Sequence, residues 1–127
     1  MEQYHRSHKK KVGAGTGGRK RKFRDKKLSH MGGEFAATKV GEKDVKSKVR
    51  GRGGNMGVKL KKATMVNFVG KDGKAQKANI IRVVESHNPE FVRMNVITKG
   101  AVVETKLGKV RVTNRVGQDG VVNGVAV

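Results

Sequence analysis

The sequence predicts a mainly β protein: a small antiparallel barrel of six or seven strands with a basic, extended N-terminal arm. Three observations predict this fold. Short β-branched runs recur about every ten residues after Thr38, turn residues separate them, and no long helical pattern or crossover helix intervenes. Closure is favoured for strands this short because a closed sheet leaves no edge exposed. We therefore expect a basic, Gly-rich extension over residues 1–36 and a compact β-barrel domain over residues 37–127.

The first strands are predicted from alternating apolar and charged residues. Over residues 45–50, valine and serine alternate with lysine and arginine, which predicts one buried face and one cationic face. The alternation resumes over residues 58–68. Lys62 falls in the apolar phase of that run, so a bulge or kink is predicted there.

Turn signals divide the remaining chain. Residues 70–73 (GKDG) contain the Asp-Gly pair that is favoured in tight hairpins, and they should join a strand ending at Val69 to one over residues 80–84. The Asn-Pro pair at 88–89 should break that strand. Further strands are predicted over residues 92–96, 101–105, 110–113 and 121–127.

Charge is the dominant property of the 127-residue chain. Thirty Lys and Arg residues stand against ten Asp and Glu, a formal net charge of +20, and 35% of the residues are hydrophobic. Repulsion of this size disfavours an isolated compact state, so a polyanion, by default nucleic acid, is the expected partner. The absence of cysteine excludes disulfides and Cys-based zinc sites. No apolar run has the length of a membrane span, so we expect no membrane association and a cytoplasmic location.

Residues 1–30 have the composition of a basic arm. They hold eleven Lys and Arg residues, almost no large aliphatic residues, and a flexible Gly-rich stretch at 13–18. Such a segment typically becomes ordered on binding, and its aromatic residues Tyr4 and Phe23 could either stack on bases or pin the arm to the barrel. The predicted RNA contacts of the arm are Arg6, Lys9, Lys10, Lys11, Arg19, Lys20, Arg21, Lys22, Phe23 and Arg24.

The strongest candidate binding motif is VRGRGGN at residues 49–55. Glycine allows close approach to a phosphate backbone, and arginine can form paired hydrogen bonds with phosphate or a guanine edge. The alternative is a β-turn that happens to be charged. We favour RNA contact because the cationic strands on either side should extend the same patch. The predicted contacts in this region are Lys46, Lys48, Arg50, Arg52, Gly53, Gly54, Asn55, Lys59 and Lys61.

Motifs for catalysis or cofactor binding fail on their context. Residues 13–18 match G-x-G-x-x-G, but the basic segment at 8–12 that precedes them is not a buried strand, so a flexible hinge is the better interpretation. His5 and His8 have no accompanying carboxylate or cysteine cluster, and the ten acidic residues are scattered singly. We therefore predict no enzyme activity, no metal, no cofactor and no small-molecule substrate.

Five segments in order resemble one protein family. They are a basic start at residues 16–23 (TGGRKRKF), TKVGE at 38–42, RGRGGN at 50–55, VRMNVITKGA with a following ET over 92–105, and RVGQDGVVN at 115–123. This series resembles the archaeal and eukaryotic small-subunit ribosomal protein eight family, the S-eight-e family, in its short archaeal form. Phe35 and Val116 stand where that family commonly has proline.

The resemblance implies a β-barrel with a basic extension, bound to small-subunit ribosomal RNA beside other small-subunit ribosomal proteins. The matched motifs add four candidate RNA contacts: Lys39, Arg93, Lys99 and Arg115. The expected function is that of a structural constituent of the small ribosomal subunit, located on the ribosome, that stabilises the tertiary fold of the RNA for translation. A ribosome-assembly factor and a general nucleic-acid-compacting protein are the alternatives, with a metal-dependent nuclease a distant third.

Overall fold

The computed structural model describes residues 12, 15–18, 28–70 and 72–127, without the side chains of Ser29 and Arg52. Tertiary contacts divide the chain into units of residues 1–35 and 36–127. Among the described residues of the first unit, a 3₁₀ turn covers Leu28–His30. Most of the predicted basic arm lies outside the described residues.

The second unit contains eight strands and two short helices among its described residues. In chain order the strands are β1 (Lys39–Val40), β2 (Val45–Arg50), β3 (Met56–Ala63), β4 (Met65–Val69), β5 (Ala75–Glu85), β6 (Val102–Thr105), β7 (Gly108–Val112) and β8 (Asn123–Ala126). Helix α1 (Pro89–Arg93) follows β5, and helix α2 (Val116–Asp119) follows β7. A 3₁₀ turn, Arg52–Gly54, connects β2 to β3.

The strands form two sheets rather than one barrel of six or seven strands. Strands β4 to β8 close a five-stranded barrel, whereas β1, β3 and β2 form a separate three-stranded sheet in that order. The predicted number of barrel strands, six or seven, and the predicted all-antiparallel pairing are therefore wrong. The pairs β1–β3 and β4–β8 are parallel. In the barrel this follows from the odd strand number: when each strand reverses its neighbour, the first and fifth strands run in the same direction and close in parallel.

The buried core is built mainly from valine, with Leu60, Ile80, Ile97 and Phe68. The burial of β4 alternates strictly, with Val66 and Phe68 inside. Gly124 on β8 lies against the core, where an added Cβ would come within 2.5 Å of the Val110 Cγ1 atom. Other fully buried core side chains are Leu60, Ile97, Val103, Val112 and Val116.

The predicted hairpin after Val69 is confirmed. Val69 pairs with Ala75, and the Gly70 amide donates a hydrogen bond to the Lys74 carbonyl at 3.0 Å. The strands predicted over 101–105 and 110–113 are also present, as β6 and β7. The last strand is shorter than the predicted 121–127, since β8 covers only Asn123–Ala126. Residues 116–119, just before it, form α2.

The strand predicted over residues 92–96 is wrong. The Asn88 side chain caps a helix there, accepting a hydrogen bond from the Glu90 amide at 3.0 Å, and Pro89 occupies the first turn. Proline is well suited to that position because the first helical amides have no partner within the helix. The Asn-Pro pair therefore begins a helix instead of only ending a strand.

The predicted one-sided burial of β2 is also wrong. Val45 and Val49 are 45% and 39% exposed, and every other residue of the strand except the half-buried Ser47 is exposed. Strand β2 is at the edge of the three-stranded sheet, so its side chains have little packing on either face. The predicted bulge near Lys62 is confirmed, since the partner of β2 shifts from Leu60 opposite Lys46 to Lys62 opposite Val45.

Candidate nucleic-acid interface

Strands β2 and β3 form a cationic β-ribbon, residues 45–62, that we call the ribbon. Its antiparallel register runs from Arg50 opposite Met56 to Lys46 opposite Leu60. Directly opposed residues of an antiparallel pair share a face, and successive residues alternate between faces. The register therefore assigns each charged residue of the two strands to one face or the other.

One face, which we call the β2 face, carries Lys46, Lys48 and Arg50. These exposed cations pair with Leu60, Val58 and Met56 respectively.

Burial on the β2 face decreases along the strand. Leu60 is 1% exposed, whereas Val58 is 39% and Met56 is 61% exposed. Val58 contacts the end of α2, where an added Cβ on Gly120 would lie 3.1 Å from its Cγ1 atom. The ribbon is thus anchored at Leu60 and becomes more exposed towards the 51–55 loop.

The opposite face, which we call the β3 face, carries Lys39, Lys61 and Lys62. Val45 opposes Lys62, and Lys39 is the parallel neighbour of Lys62 on β1. The bulge places Lys61 and Lys62 on one side, so that Leu60 and Ala63 on either side of them can both be buried. All three lysines are exposed, and the half-buried Lys59, opposite Ser47, is on the same face.

The single patch predicted from sequence is therefore divided between two faces. Lys46, Lys48 and Arg50 point to one side of the ribbon, and Lys59 and Lys61 point to the other. Alternation predicts correctly that each strand has a cationic side. The mutual register of the strands, which local sequence does not determine, places those sides on opposite faces.

The loop at residues 51–55 exposes backbone at the end of the ribbon. The Gly51 amide donates a hydrogen bond to the Asn55 carbonyl at 2.6 Å, which closes the loop. Gly53 and Gly54 have φ values of 71° and 80°, a region that favours glycine, and nothing lies near the Cβ position of either residue. Together with the exposed Asn55 they form an open polar turn.

The ribbon contains no acidic residue. Its seven cations are Lys46, Lys48, Arg50, Arg52, Lys59, Lys61 and Lys62. The preceding acid, Asp44, accepts a hydrogen bond from the Thr64 amide at 2.8 Å. Without carboxylates in the ribbon, its positive charges repel one another, and a polyanion relieves that repulsion.

The remaining predicted contacts are dispersed. Arg93 on α1 donates to Glu90 at 2.7 Å, so a neighbouring carboxylate partly neutralises its charge. Lys99 is exposed in the turn before β6, and Arg115 is exposed immediately before α2, which packs on β3. The predicted contacts at Arg6, 9–11 and 19–24 lie outside the described residues, as does the Arg52 side chain.

Lys62 is a cation that sequence reasoning did not include among the candidate contacts. It breaks the apolar phase of the strand, and a bulge is predicted there for that reason. A lysine in the apolar phase cannot remain in a dry core, so the bulge must turn it outward, beside Lys61. The phase break was therefore the available signal.

Other kinds of site are not evident in the part of the chain that the structure describes. Among those residues no group of three or more His, Cys, Asp or Glu side chains could hold a metal ion. No helix there is long and apolar enough to cross a membrane.

The fold and its charges define a small basic β-barrel protein with a cationic ribbon. The profile of the family "Ribosomal protein S8e" matches residues 4–127. The chain belongs to this family.

Curated relatives agree over most of the chain. A Staphylothermus marinus protein named "Small ribosomal subunit protein eS8" is 44% identical over 112 residues, covering 87% of this chain and 88% of the relative. Proteins of the same name from Nanoarchaeum equitans and Hyperthermus butylicus are 47% and 41% identical, covering 82% and 100% of this chain and 83% and 93% of the relatives.

Proposed function

We propose that this protein is a structural, non-enzymatic constituent of the small ribosomal subunit. It binds small-subunit ribosomal RNA through phosphate contacts, beside other ribosomal proteins, and stabilises the tertiary fold of the RNA. The observation that carries the proposal is the acid-free ribbon with seven cations in a member of a ribosomal protein family.

The physical basis is the replacement of condensed counterions by fixed protein charges. Each phosphate neutralised by lysine or arginine releases counterions, which favours binding and makes it dependent on salt. A hydrogen-bonded ribbon also fixes its backbone before binding, so less conformational entropy is lost than when a disordered segment becomes ordered. The barrel anchors that ribbon through Leu60.

The first test of the proposal is the location of the protein in cells. Lysate is sedimented through sucrose gradients at moderate and high salt, and the protein is followed by mass spectrometry. Stoichiometric presence in mature small subunits supports the proposal. Confinement to precursor particles would identify an assembly factor, and absence from both would favour a general nucleic-acid-compacting protein.

The second test is RNA affinity after substitution of Arg50→Ala and Arg52→Ala together. Loss of two phosphate contacts should weaken binding to small-subunit ribosomal RNA and reduce the slope of log K against log salt by about 1.4–1.8. The matched control is the double variant Lys77→Ala and Lys109→Ala, which removes two exposed charges from barrel strands. Unchanged affinity in the arginine variant would contradict the proposed contact surface.

A further inference from the structure

We infer that the ribbon bridges two separate segments of RNA, with one phosphate backbone against the β2 face and another against the β3 face. This inference rests on the proposed function, since it specifies how the RNA-binding surface is used. It assigns Lys46, Lys48 and Arg50 to one RNA segment and Lys39, Lys61 and Lys62 to the other.

Strand geometry prevents one backbone from meeting both sets of cations. Successive side chains of a strand project in opposite directions, roughly perpendicular to the sheet. Lys46 and Lys61 therefore extend away from each other across the thickness of the ribbon. A phosphate backbone lying along one face reaches the cations of that face and is separated from the others by the ribbon itself.

Both sets are available for binding. The six cations are exposed, and within the described part of the chain their side chains form no hydrogen bond or ion pair. The β2 edge has no further strand beside it among the described strands. Each face therefore presents three exposed cations that form no ion pair within the described residues, and a polyanion on one face leaves the exposed cations of the other face unneutralised.

The bulge adds Lys62 to the cations of the β3 face. Without the extra residue, strict alternation would place Lys62 on the side of Leu60, against the core. The shift in register places Lys61 and Lys62 together beside Lys39, which concentrates three cations at the base of the β3 face. The β2 face has its three cations spaced along the strand.

Charge removal from one face at a time tests the bridge. The β2-face variant combines Lys46→Gln, Lys48→Gln and Arg50→Gln. The β3-face variant combines Lys39→Gln, Lys61→Gln and Lys62→Gln. The control is Lys77→Gln, Lys109→Gln, Arg111→Gln on barrel strands, and circular dichroism verifies that each variant is folded. On small-subunit ribosomal RNA each face variant should lower the salt slope by about 2.1–2.7, because each loses three phosphate contacts. A face variant that binds like the wild type would overturn the inference.

Directed cleavage identifies the two segments independently of affinity. The chain contains no cysteine, so single Lys48→Cys and Lys61→Cys variants can each carry one tethered iron chelate without other changes. In the complex with the RNA, the two positions should cleave segments that belong to different RNA helices. Cleavage of the same segment from both positions would overturn the bridge while leaving RNA binding intact. A wild-type protein that does not bind this RNA would instead contradict the proposed function.

Discussion

Strands of the barrel and of the ribbon share one sequence pattern, the alternation of apolar and polar residues, but their side chains lie in different environments. In β4 the alternation produces a buried side, with Val66 fully buried and Phe68 5% exposed. In β2 an equally regular alternation leaves Val45 and Val49 exposed. The difference is the packing on each strand: barrel strands face other barrel strands across the core, whereas the side chains of the edge strand β2 have little packing on either face. Alternation specifies which residues share a face, and tertiary packing decides whether that face is a core.

The largest expected effect is at the point where the ribbon joins the core. Leu60→Ala should reduce the free energy of unfolding by about 2–5 kcal/mol, because it leaves a cavity where the leucine was 1% exposed. Met56→Ala is the matched control, on the same strand and face but 61% exposed, and should change stability by less than about 0.5 kcal/mol. Thermal unfolding followed by circular dichroism measures both. Similar losses for the two variants would erase the distinction between anchored and exposed parts of the ribbon.

The second effect compares two strand glycines. Gly124→Ala should destabilise the protein by about 1–3 kcal/mol, since the new methyl group would come within 2.5 Å of the Val110 Cγ1 atom and 2.7 Å of the Arg111 carbonyl oxygen. At Gly57 in the ribbon the nearest atom to an added Cβ is 3.7 Å away, so Gly57→Ala should be tolerated.

Urea denaturation of the two alanine variants checks this comparison through their midpoints. A midpoint for Gly124→Ala equal to the wild-type value would mean that β7 and β8 can separate at no cost. A large loss for Gly57→Ala would mean that the ribbon is packed as tightly as the barrel.

The smallest effect concerns surface charge. Arg82 on β5 pairs with Glu104 on β6 at 2.6 Å, and because its side chain is 66% exposed, Arg82→Gln should cost at most about 1 kcal/mol. Lys48→Gln removes a charge from an acid-free ribbon, so stability should be unchanged or slightly higher. Unfolding at low and high salt measures both variants, and their difference should shrink as salt screens it. If Lys48→Gln were the more destabilising substitution, Lys48 would have to be paired with a carboxylate from outside the ribbon, and the expectation of unrelieved repulsion would be wrong.

The sequence predicts those features that depend on neighbouring residues. The Asp-Gly turn after Val69, the cationic sides of β2 and β3, and the bulge near Lys62 all follow from local patterns. The strand expected at 92–96 does not form, because the Asn88 cap favours a helix over the weaker alternation that follows it. The local sequence is compatible with either a strand or a helix there, and the capping hydrogen bond of Asn88 favours the helix.

Features that depend on distant residues could not be predicted in this way. The division into two sheets requires knowing that β4 pairs with β8, and the two-faced distribution of cations requires the register of β2 on β3. The wrong expectation of a single patch came from assigning each strand a cationic side without that register.

Parallel pairing of β4 with β8 also governs how the protein folds. Asn67 and Asn123, which are paired in this ladder and joined by a side-chain hydrogen bond at 3.2 Å, are 56 residues apart in sequence. Contacts so distant require closure of a long loop before they contribute, so they slow folding. During synthesis β4 to β7 can form hairpins as they emerge, but the β4 edge stays unpaired until β8 arrives. Until that moment the β4 edge presents unpaired backbone amides and carbonyls, the kind of edge on which other chains can associate.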